Sequence, residues 1–279
     1  MGKVILCTGK LASEPYVFVI SDTAVYSIEE MSYYLYTHVY EIEEDFLDDN
    51  LVSWIAGELQ LIELSDKLMK LKQNKNNLKD IIVTILCSND YYTEKEIKDL
   101  ILVLDQIMDL PRIKRRKIRG DYFLKYQMYS HAVVEYQSVL NDKEIRLFTN
   151  EEYGDILHNI GITHIHITSF KEASMSFKEA YNLNHNPVTL HQYMLSLYLA
   201  EEYQLFEEEQ VAYELPENYS EVIEQEVNTA RQMAIKYPSY QQLDKLVTMK
   251  NAGKVNDYYQ QIEKILGEWK RIYRRQLEG

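Results

Sequence analysis

Most of the chain alternates hydrophobic and polar residues with the period of an amphipathic α-helix. From residue 27 onward, apolar side chains return every three or four positions, as Met31, Leu35 and Val39 do. This spacing places the apolar side chains on one face of a helix, and that face must pack against another element to be buried. The pattern therefore predicts an all-α or mostly α fold.

Only the first twenty-six residues have a β-like pattern. VILC at residues 4–7 and YVFVI at residues 16–20 are short, rich in β-branched residues, and separated by a polar stretch. Runs of this kind are typical of strands. We expect the two to form a small hairpin or edge pair, which must pack against helices to be stable.

Short polar motifs and prolines mark the predicted helix ends. A small polar residue followed three positions later by Glu or Gln forms a capping box, in which each side chain binds the backbone N–H of the other residue. We expect such caps at five positions: Ser27, Thr93, Thr149, Asn218 and Ser239. Prolines that interrupt the helical pattern predict breaks between helices at Pro187, Pro216 and Pro238.

The pattern changes near residue 110, where we place a domain boundary. Pro111 fits the first turn of a new helix, because proline lacks the N–H that a helix leaves unpaired there. Residues 1–110 are expected to form a mostly helical head with a short β element. Residues 111–279 are expected to form helix pairs, ending in C-terminal capping helices.

Two segments that begin 41 residues apart share their residue types. GDYFLKYQMYSHAVVEYQSVL begins at Gly120, and GITHIHITSFKEASMSFKEAY begins at Gly161. Small residues let two helices cross closely, and large aromatic residues fill the gap to the next pair. We therefore expect Ala132 and Ala173, which match one another in the two segments, to be buried at helix crossings.

These segments resemble the tetratricopeptide repeat (TPR) family. The residues that carry the resemblance are the small and aromatic ones: Gly120, Phe123, Tyr129, Ala132 and Tyr136, then Gly161, Phe170, Ala173, Phe177 and Ala180. A third, more divergent copy places Met194, Leu197 and Phe206 in corresponding positions. The resemblance covers residues 112–214, although the 41-residue spacing exceeds the usual length of about 34. It implies a solenoid of helical hairpins.

The resemblance also implies a function, that of a protein–protein interaction adaptor or scaffold. In the TPR family, partners lie against the first helices of successive pairs. The corresponding residues here are Lys114, Lys117, Asp121 and Lys125, then Asp155, His158, Asn159, Ile162 and His166. Asp121, Val188 and Gln192 depart from the subfamily that clamps chaperone C-terminal carboxylates, so we do not expect that clamp. The alternative is a peptide-responsive regulator whose head is the output module.

Charge narrows the choice of partner. The chain carries 44 acidic and 30 basic residues, a net charge of −14, which argues against nonspecific binding to nucleic acid or an anionic membrane. Residues 111–120, PRIKRRKIRG, are a local exception with six basic residues in ten. They have three interpretations: a solvated helix face, a site for an acidic peptide or protein, or a nucleic-acid site. The last is disfavoured because aromatic residues are not interleaved.

Motifs for catalysis or metal binding are incomplete in this sequence. TGK at residues 8–10 lacks the earlier glycine and the following Ser or Thr of a phosphate-binding loop. His158, His164 and His166 do not share a helix face, and EIEEDFLDDN at residues 41–50 lacks calcium-loop spacing, so we expect that acidic stretch to be a solvated helix end. We expect no enzyme activity, no metal and no cofactor.

The remaining features indicate a cytoplasmic protein. No run of about 18 apolar residues is present, so we expect no membrane segment. The two cysteines, Cys7 and Cys87, do not form a disulfide framework, and Cys87 is expected to pack as a small hydrophobic residue. The 24 tyrosines suit half-buried helix faces and interaction surfaces, because each combines an apolar ring with a polar tip.

Overall fold

The computed structural model describes residues 7–42, 46–74, 77–167 and 169–278, and it confirms the mostly helical fold with a short β-hairpin. Within those residues there are fourteen α-helices and one two-stranded sheet. The strands are β1 (Tyr16–Phe18) and β2 (Thr23–Val25). The helices are α1 (Ile28–Thr37), α2 (Asp49–Gly57), α3 (Ile62–Gln73), α4 (Leu78–Leu86), α5 (Glu94–Met108), α6 (Arg112–Lys125), α7 (Tyr129–Leu140), α8 (Asn150–Ile167), α9 (Phe170–Asn184), α10 (Pro187–Leu199), α11 (Tyr203–Ala212), α12 (Tyr219–Ala234), α13 (Pro238–Asn251) and α14 (Val255–Glu278).

The chain forms two compact units that divide after Tyr126. The first unit contains the head and α6, and the second contains α7 to α14 up to Leu277. Helices α6 and α7, which the repeat pattern places in one hairpin, therefore fall in different units. The domain boundary at residue 110 stays a prediction.

The strand pairing differs from the one expected. Of VILC, residues 4–6 lie outside the described residues, and Cys7 has no regular secondary structure. YVFVI does contain a strand, but β1 pairs antiparallel with β2, and Tyr16 lies opposite Val25. The chain reverses through a turn in which Asp22 has a φ of 49°, a left-handed conformation that Asp tolerates well. A partner that follows at once in sequence is reached with little loop entropy.

A stack of aromatic rings joins β1, α1 and α6 in the first unit. The ring of Tyr34 stacks on Phe18, with centroids 3.6 Å apart, and on His38, with centroids 4.2 Å apart. The His38 ring in turn lies 6.2 Å from Tyr122 and 6.3 Å from Tyr126. These contacts are one physical reason why α6 belongs to the first unit.

Glu41 corrects part of the expectation of a solvated helix end at residues 41–50, although Asp49 is exposed at the start of α2. Residues 43–45 lie outside the described residues, but Glu41 is only 3% exposed. Its Oε1 accepts a hydrogen bond from the Tyr34 hydroxyl, which gives the carboxyl a partner inside the core. Burial raises the pKa of Glu41 above the usual value for a glutamate.

The second unit contains the predicted helical hairpins. Gly161 on α8 crosses α9 so closely that a Cβ there would lie 2.6 Å from a ring carbon of Phe177. Ala132 and Ala173 are completely buried, which confirms that part of the prediction. The third copy also forms a helix pair, α10 and α11, whose buried residues include Met194, Leu197 and Phe206.

Helix ends are confirmed where the capping box is complete. Thr93 with Glu96 and Thr149 with Glu152 exchange reciprocal hydrogen bonds, and the Ser27 hydroxyl accepts from the Glu30 N–H. Two predicted caps are wrong. The Asn218 side chain makes no capping bond, and α13 begins at Pro238, before Ser239. A proline at the first helical position starts this helix without a polar cap.

Helix α6 begins one residue after Pro111. The extra residues between the two repeat copies form a 3₁₀ turn at Lys143–Leu147. Cys87 is exposed and not packed in the core, because α4 ends there. Among the described residues, no helix combines the length and the apolar character needed to span a membrane.

Substitution of Gly161 tests the close crossing of α8 and α9. In Gly161→Ala the new methyl group overlaps the Phe177 ring, and we expect the free energy of unfolding to fall by roughly 1–3 kcal/mol. The matched control is Gly267→Ala in α14, where no atom lies within 4 Å of the added Cβ. Because alanine favours a helix over glycine, the control should gain about 0.5–1 kcal/mol. The free energies of unfolding are measured by urea unfolding followed by circular dichroism. If the two substitutions change them equally, the close crossing at Gly161 is wrong.

Replacement of Glu41 tests the buried carboxyl. Because its pKa is raised in the folded state, the folded protein binds more protons than the unfolded chain, and stability falls as pH rises from 4.5 through the folded pKa. Glu41→Gln lacks this titration. We therefore expect the melting temperature of the variant, relative to the wild type, to increase between about pH 5 and pH 8. Asp66→Asn removes a charge from an exposed position beyond the first turn of α3 and measures the effect of net charge.

Candidate interaction surface

Helices α8 and α10, the first helices of the two hairpins, leave corresponding positions partly or fully exposed. The positions in α10 follow those in α8 by 33 residues, and together we call them the first-helix face. The face consists of Asp155, His158, Asn159, Ile162 and His166 of α8 and Val188, His191, Gln192, Leu195 and Leu199 of α10. Most side chains between these positions are buried, including Leu157, Ile160, Leu190 and Tyr193, and His164, Ile165 and Tyr198 are half-buried. Both helices therefore present the same side to their surroundings.

A hydrogen-bond network centred on Thr189 joins α8, α9 and α10. Thr189 is 1% exposed, and its Oγ1 lies 3.0 Å from His158 Nδ1 and accepts from Asn184 Nδ2 at 3.2 Å. Asn184 Nδ2 also donates to Asp155 Oδ1 at 3.1 Å. Since the Thr189 hydroxyl can donate its proton to an unprotonated imidazole, the network favours neutral His158. It fixes the spacing of the two helices that carry the face.

His158 contributes to packing as well as to the face. Its ring meets the edge of Phe177, with centroids 5.1 Å apart, and burial lowers its pKa, although Asp155 acts in the opposite direction. The sequence placed His158 in a partner-binding groove. The structure leaves it half-buried, with one ring nitrogen already bound to α10.

Asn159 and His166 connect the face to α7. Asn159 Nδ2 donates to the Tyr136 hydroxyl at 3.1 Å. The His166 ring stacks on Tyr129, with centroids 4.1 Å apart, and partial burial lowers the pKa of His166. Ile162 is half-buried against the apolar core of this unit. All five second-unit residues of the predicted site, including Asp155, therefore lie on one helix, and each contacts another side chain of this unit.

Sequence reasoning did not assign the α10 half of the face. His191 bonds through Nδ1 to the Tyr219 hydroxyl and through Nε2 to Glu226, each at 3.0 Å, which ties α10 to α12. Val188 is 59% exposed at the start of α10. The 33-residue register of the third copy could have identified these positions. Sequence reasoning used it to place buried residues and to compare Val188 and Gln192 with the chaperone clamp, but it did not include them in the predicted site.

The other four residues of the predicted site lie on α6, in the first unit. Lys114, Lys117, Asp121 and Lys125 share one side of that helix by their spacing. Lys117 Nζ lies 2.6 Å from Asp121 Oδ2, so part of the predicted positive charge is neutralised within the helix. Lys125 Nζ lies 5.5 Å from the centre of the Tyr126 ring.

The arginines of the same basic segment lie on the opposite side of α6. They occupy positions i, i+3, i+4 and i+7: Arg112, Arg115, Arg116 and Arg119. All four line a cleft of about 400 Å³ within the first unit, which we call the arginine cleft. Arg115, Arg116 and Arg119 are half-buried, so the segment is not simply a solvated helix face. Counting charges along the sequence did not separate the two sides of the helix.

Within the described residues, no group of three or more His, Cys, Asp or Glu side chains is arranged to hold a metal ion. No protein-family model, curated protein or solved structure matches the chain. The interpretation of both surfaces therefore depends on their own geometry and chemistry.

The pKa of His158 predicts a pH dependence of stability. Burial lowers the pKa of His158 in the folded protein below 6.5. The stability that neutral His158 contributes is therefore complete above pH 6.5 and is lost as the pH falls through the folded pKa. We expect His158→Gln to reduce the loss of stability on acidification from about pH 7 to pH 5, measured by urea unfolding. Thr189→Ser keeps the hydroxyl and should retain the wild-type pH dependence. If His158→Gln shows the same pH dependence as the wild type, the assignment to His158 is wrong.

Proposed function

We propose that this protein is a protein–protein interaction adaptor that binds an extended segment of a partner on the first-helix face. One observation carries the proposal. Five positions of α8 and the five corresponding positions of α10 are partly or fully exposed, while most of the positions between them are buried. A repeated face of this kind offers a continuous surface to a segment longer than one helix can contact.

The composition of the face indicates the chemistry of its partner. Four of its ten residues are aliphatic, namely Ile162, Val188, Leu195 and Leu199, and Asp155 is its one carboxylate. Asn159 and Gln192 add amide groups that can pair with a peptide backbone. Aliphatic anchors surrounded by polar groups are typical of interfaces whose affinity comes from a few buried side chains. We therefore expect a partner segment with spaced apolar residues.

The lysines of α6, which lie in the first unit, keep the preference for acidic partners that the sequence suggested, separately from the first-helix face. Long-range electrostatic attraction mainly increases the association rate and contributes less to the lifetime of a complex. The Lys117–Asp121 pair is partly exposed, and pairs of this kind contribute only about 0–1 kcal/mol. We assign affinity to the aliphatic residues of the first-helix face.

Two valine substitutions separate the first-helix face from the rest of the second unit. Val188→Glu places a charge on the face, and Val211→Glu places the same charge on α11, the second helix of the hairpin. The two valines are 59% and 79% exposed, so neither change opens a core cavity. Glutamate is favourable in the first turn of α10 and unfavourable in the last turn of α11, by about 0.3–1 kcal/mol in each case, because of the helix dipole. Circular dichroism melting therefore confirms that both variants fold before binding is measured.

The measurement begins with capture of partners by the full-length wild-type chain and their identification by mass spectrometry. A captured partner is then purified, and its affinity for each variant is measured by calorimetry. We expect Val188→Glu to weaken binding by roughly tenfold or more, as a charge buried against an apolar anchor does, and Val211→Glu to have no effect. Equal affinities of the two variants for every captured partner would refute the proposed face.

A further inference from the structure

We propose that the arginine cleft of the first unit binds a small organic anion with a phosphate or carboxylate head and an apolar body. This site is distinct from the first-helix face, which lies in the second unit. The proposal depends on three features of the cleft: the four arginines that line it, the apolar side chains in the rest of the lining, and its size.

The four arginines converge because of their helical spacing. Residues at i, i+3, i+4 and i+7 lie on one side of a helix, and here that side lines the cleft. Arg115, Arg116 and Arg119 are half-buried, whereas Arg112 is exposed. Guanidinium groups in partly desolvated positions bind carboxylate and phosphate with paired, charge-assisted hydrogen bonds. This arrangement is well suited to an anion that enters from solvent.

The remaining lining of the cleft is largely apolar. Leu78 of α4 and Leu104 and Ile107 of α5 contribute to it, and Val39 and Ile42 add further aliphatic side chains. Inorganic phosphate would leave this surface without a partner, whereas a ligand with an apolar body would cover it. The volume of about 400 Å³ lies within the range of about 300–1,000 Å³ that is typical of small-molecule sites.

The arginines also have partners within the protein. Arg115 donates to the Met108 sulfur at 3.7 Å, and Arg119 acts electrostatically on Glu41. Arg115, Arg116 and Arg119 make other interactions as well. A guanidinium group carries five N–H donors in a planar fork, so it can hold a structural partner and a ligand at the same time. The site therefore does not require any arginine to be unpaired in the absence of ligand.

The division of arginine and lysine between the two sides of α6 supports a specific role for the cleft. The side that lines it carries four arginines, and the opposite side carries Lys114, Lys117 and Lys125. Lysine would supply the same charge, but it lacks the planar guanidinium group that donates paired hydrogen bonds to two oxygens of an anionic head group. In a chain with a net charge of −14, a concentrated cationic cleft also attracts anions that the rest of the surface repels.

The test uses the full-length protein and four probes in isothermal titration calorimetry. Hexyl phosphate and hexanoate each combine an anionic head with an apolar tail, inorganic phosphate has only the head, and hexanol has only the tail. We expect at least one of the two amphiphilic anions to bind roughly tenfold more tightly than both inorganic phosphate and hexanol. The stronger of the two identifies the head group. If neither binds, or if hexanol binds equally well, the proposal is wrong.

Matched variants then assign the binding to one side of α6. Arg112→Gln and Arg112→Gln/Arg116→Gln remove one and two charges from the cleft, and Lys114→Gln/Lys117→Gln removes two from the opposite side. We expect each arginine variant to bind the tighter-binding probe roughly tenfold or more weakly than the wild type does. The lysine variant should bind it with nearly the wild-type affinity. Circular dichroism melting confirms folding, and Arg112, which is exposed, provides a safe single change. The proposal is overturned if the arginine and lysine variants lose the same affinity for the probe. It is also overturned if neither Arg112→Gln nor the double arginine variant loses affinity.

Discussion

The close approach of Phe177 to Gly161 is the constraint on which the second unit depends. The aromatic ring occupies the space that any other side chain at Gly161 would fill, so α8 and α9 can lie this near to one another only with glycine there. The same ring meets the edge of His158, which is bound in turn to Thr189 on α10. One missing Cβ thus sets the position of three successive helices, and with them the first-helix face.

Aromatic residues with polar tips hold the first unit together in a comparable way. The ring of Tyr34 lies between Phe18 and His38 in the stack, while its hydroxyl bonds to buried Glu41. In the second unit the hydroxyls of Tyr136 and Tyr219 bond to Asn159 and His191, respectively. Tyrosine allows a helix to bury a large ring and satisfy a neighbouring polar group at once. This dual use gives a physical reason for the high tyrosine content of the chain.

The features that could be predicted from the sequence are those encoded locally. Helical periodicity, complete capping boxes such as Thr93 with Glu96, and the small residues Ala132 and Ala173 each depend on a few neighbouring positions. The errors arise where packing, or the choice between several possible partners, decides the outcome. Glu41 is buried where its carboxyl bonds to the Tyr34 hydroxyl, and β1 pairs with the next segment and not with the preceding one. Capping at Asn218 failed because a suitable residue type does not ensure the required backbone conformation.

The candidate sites depend on tertiary structure in the same way. The basic segment was recognised by its charge, but its separation into two sides of α6 follows from helical phase, and the apolar lining of the cleft comes from other segments of the chain, including α4, α5 and Val39. This separation constrains how the protein can change over evolutionary time. Substitutions can adjust the lysine side and the arginine side independently. A single inserted or deleted residue within α6, however, would rotate every later side chain by about 100° relative to the earlier ones and move it away from the surface that it serves. The length of this helix should therefore resist change even where its residues drift.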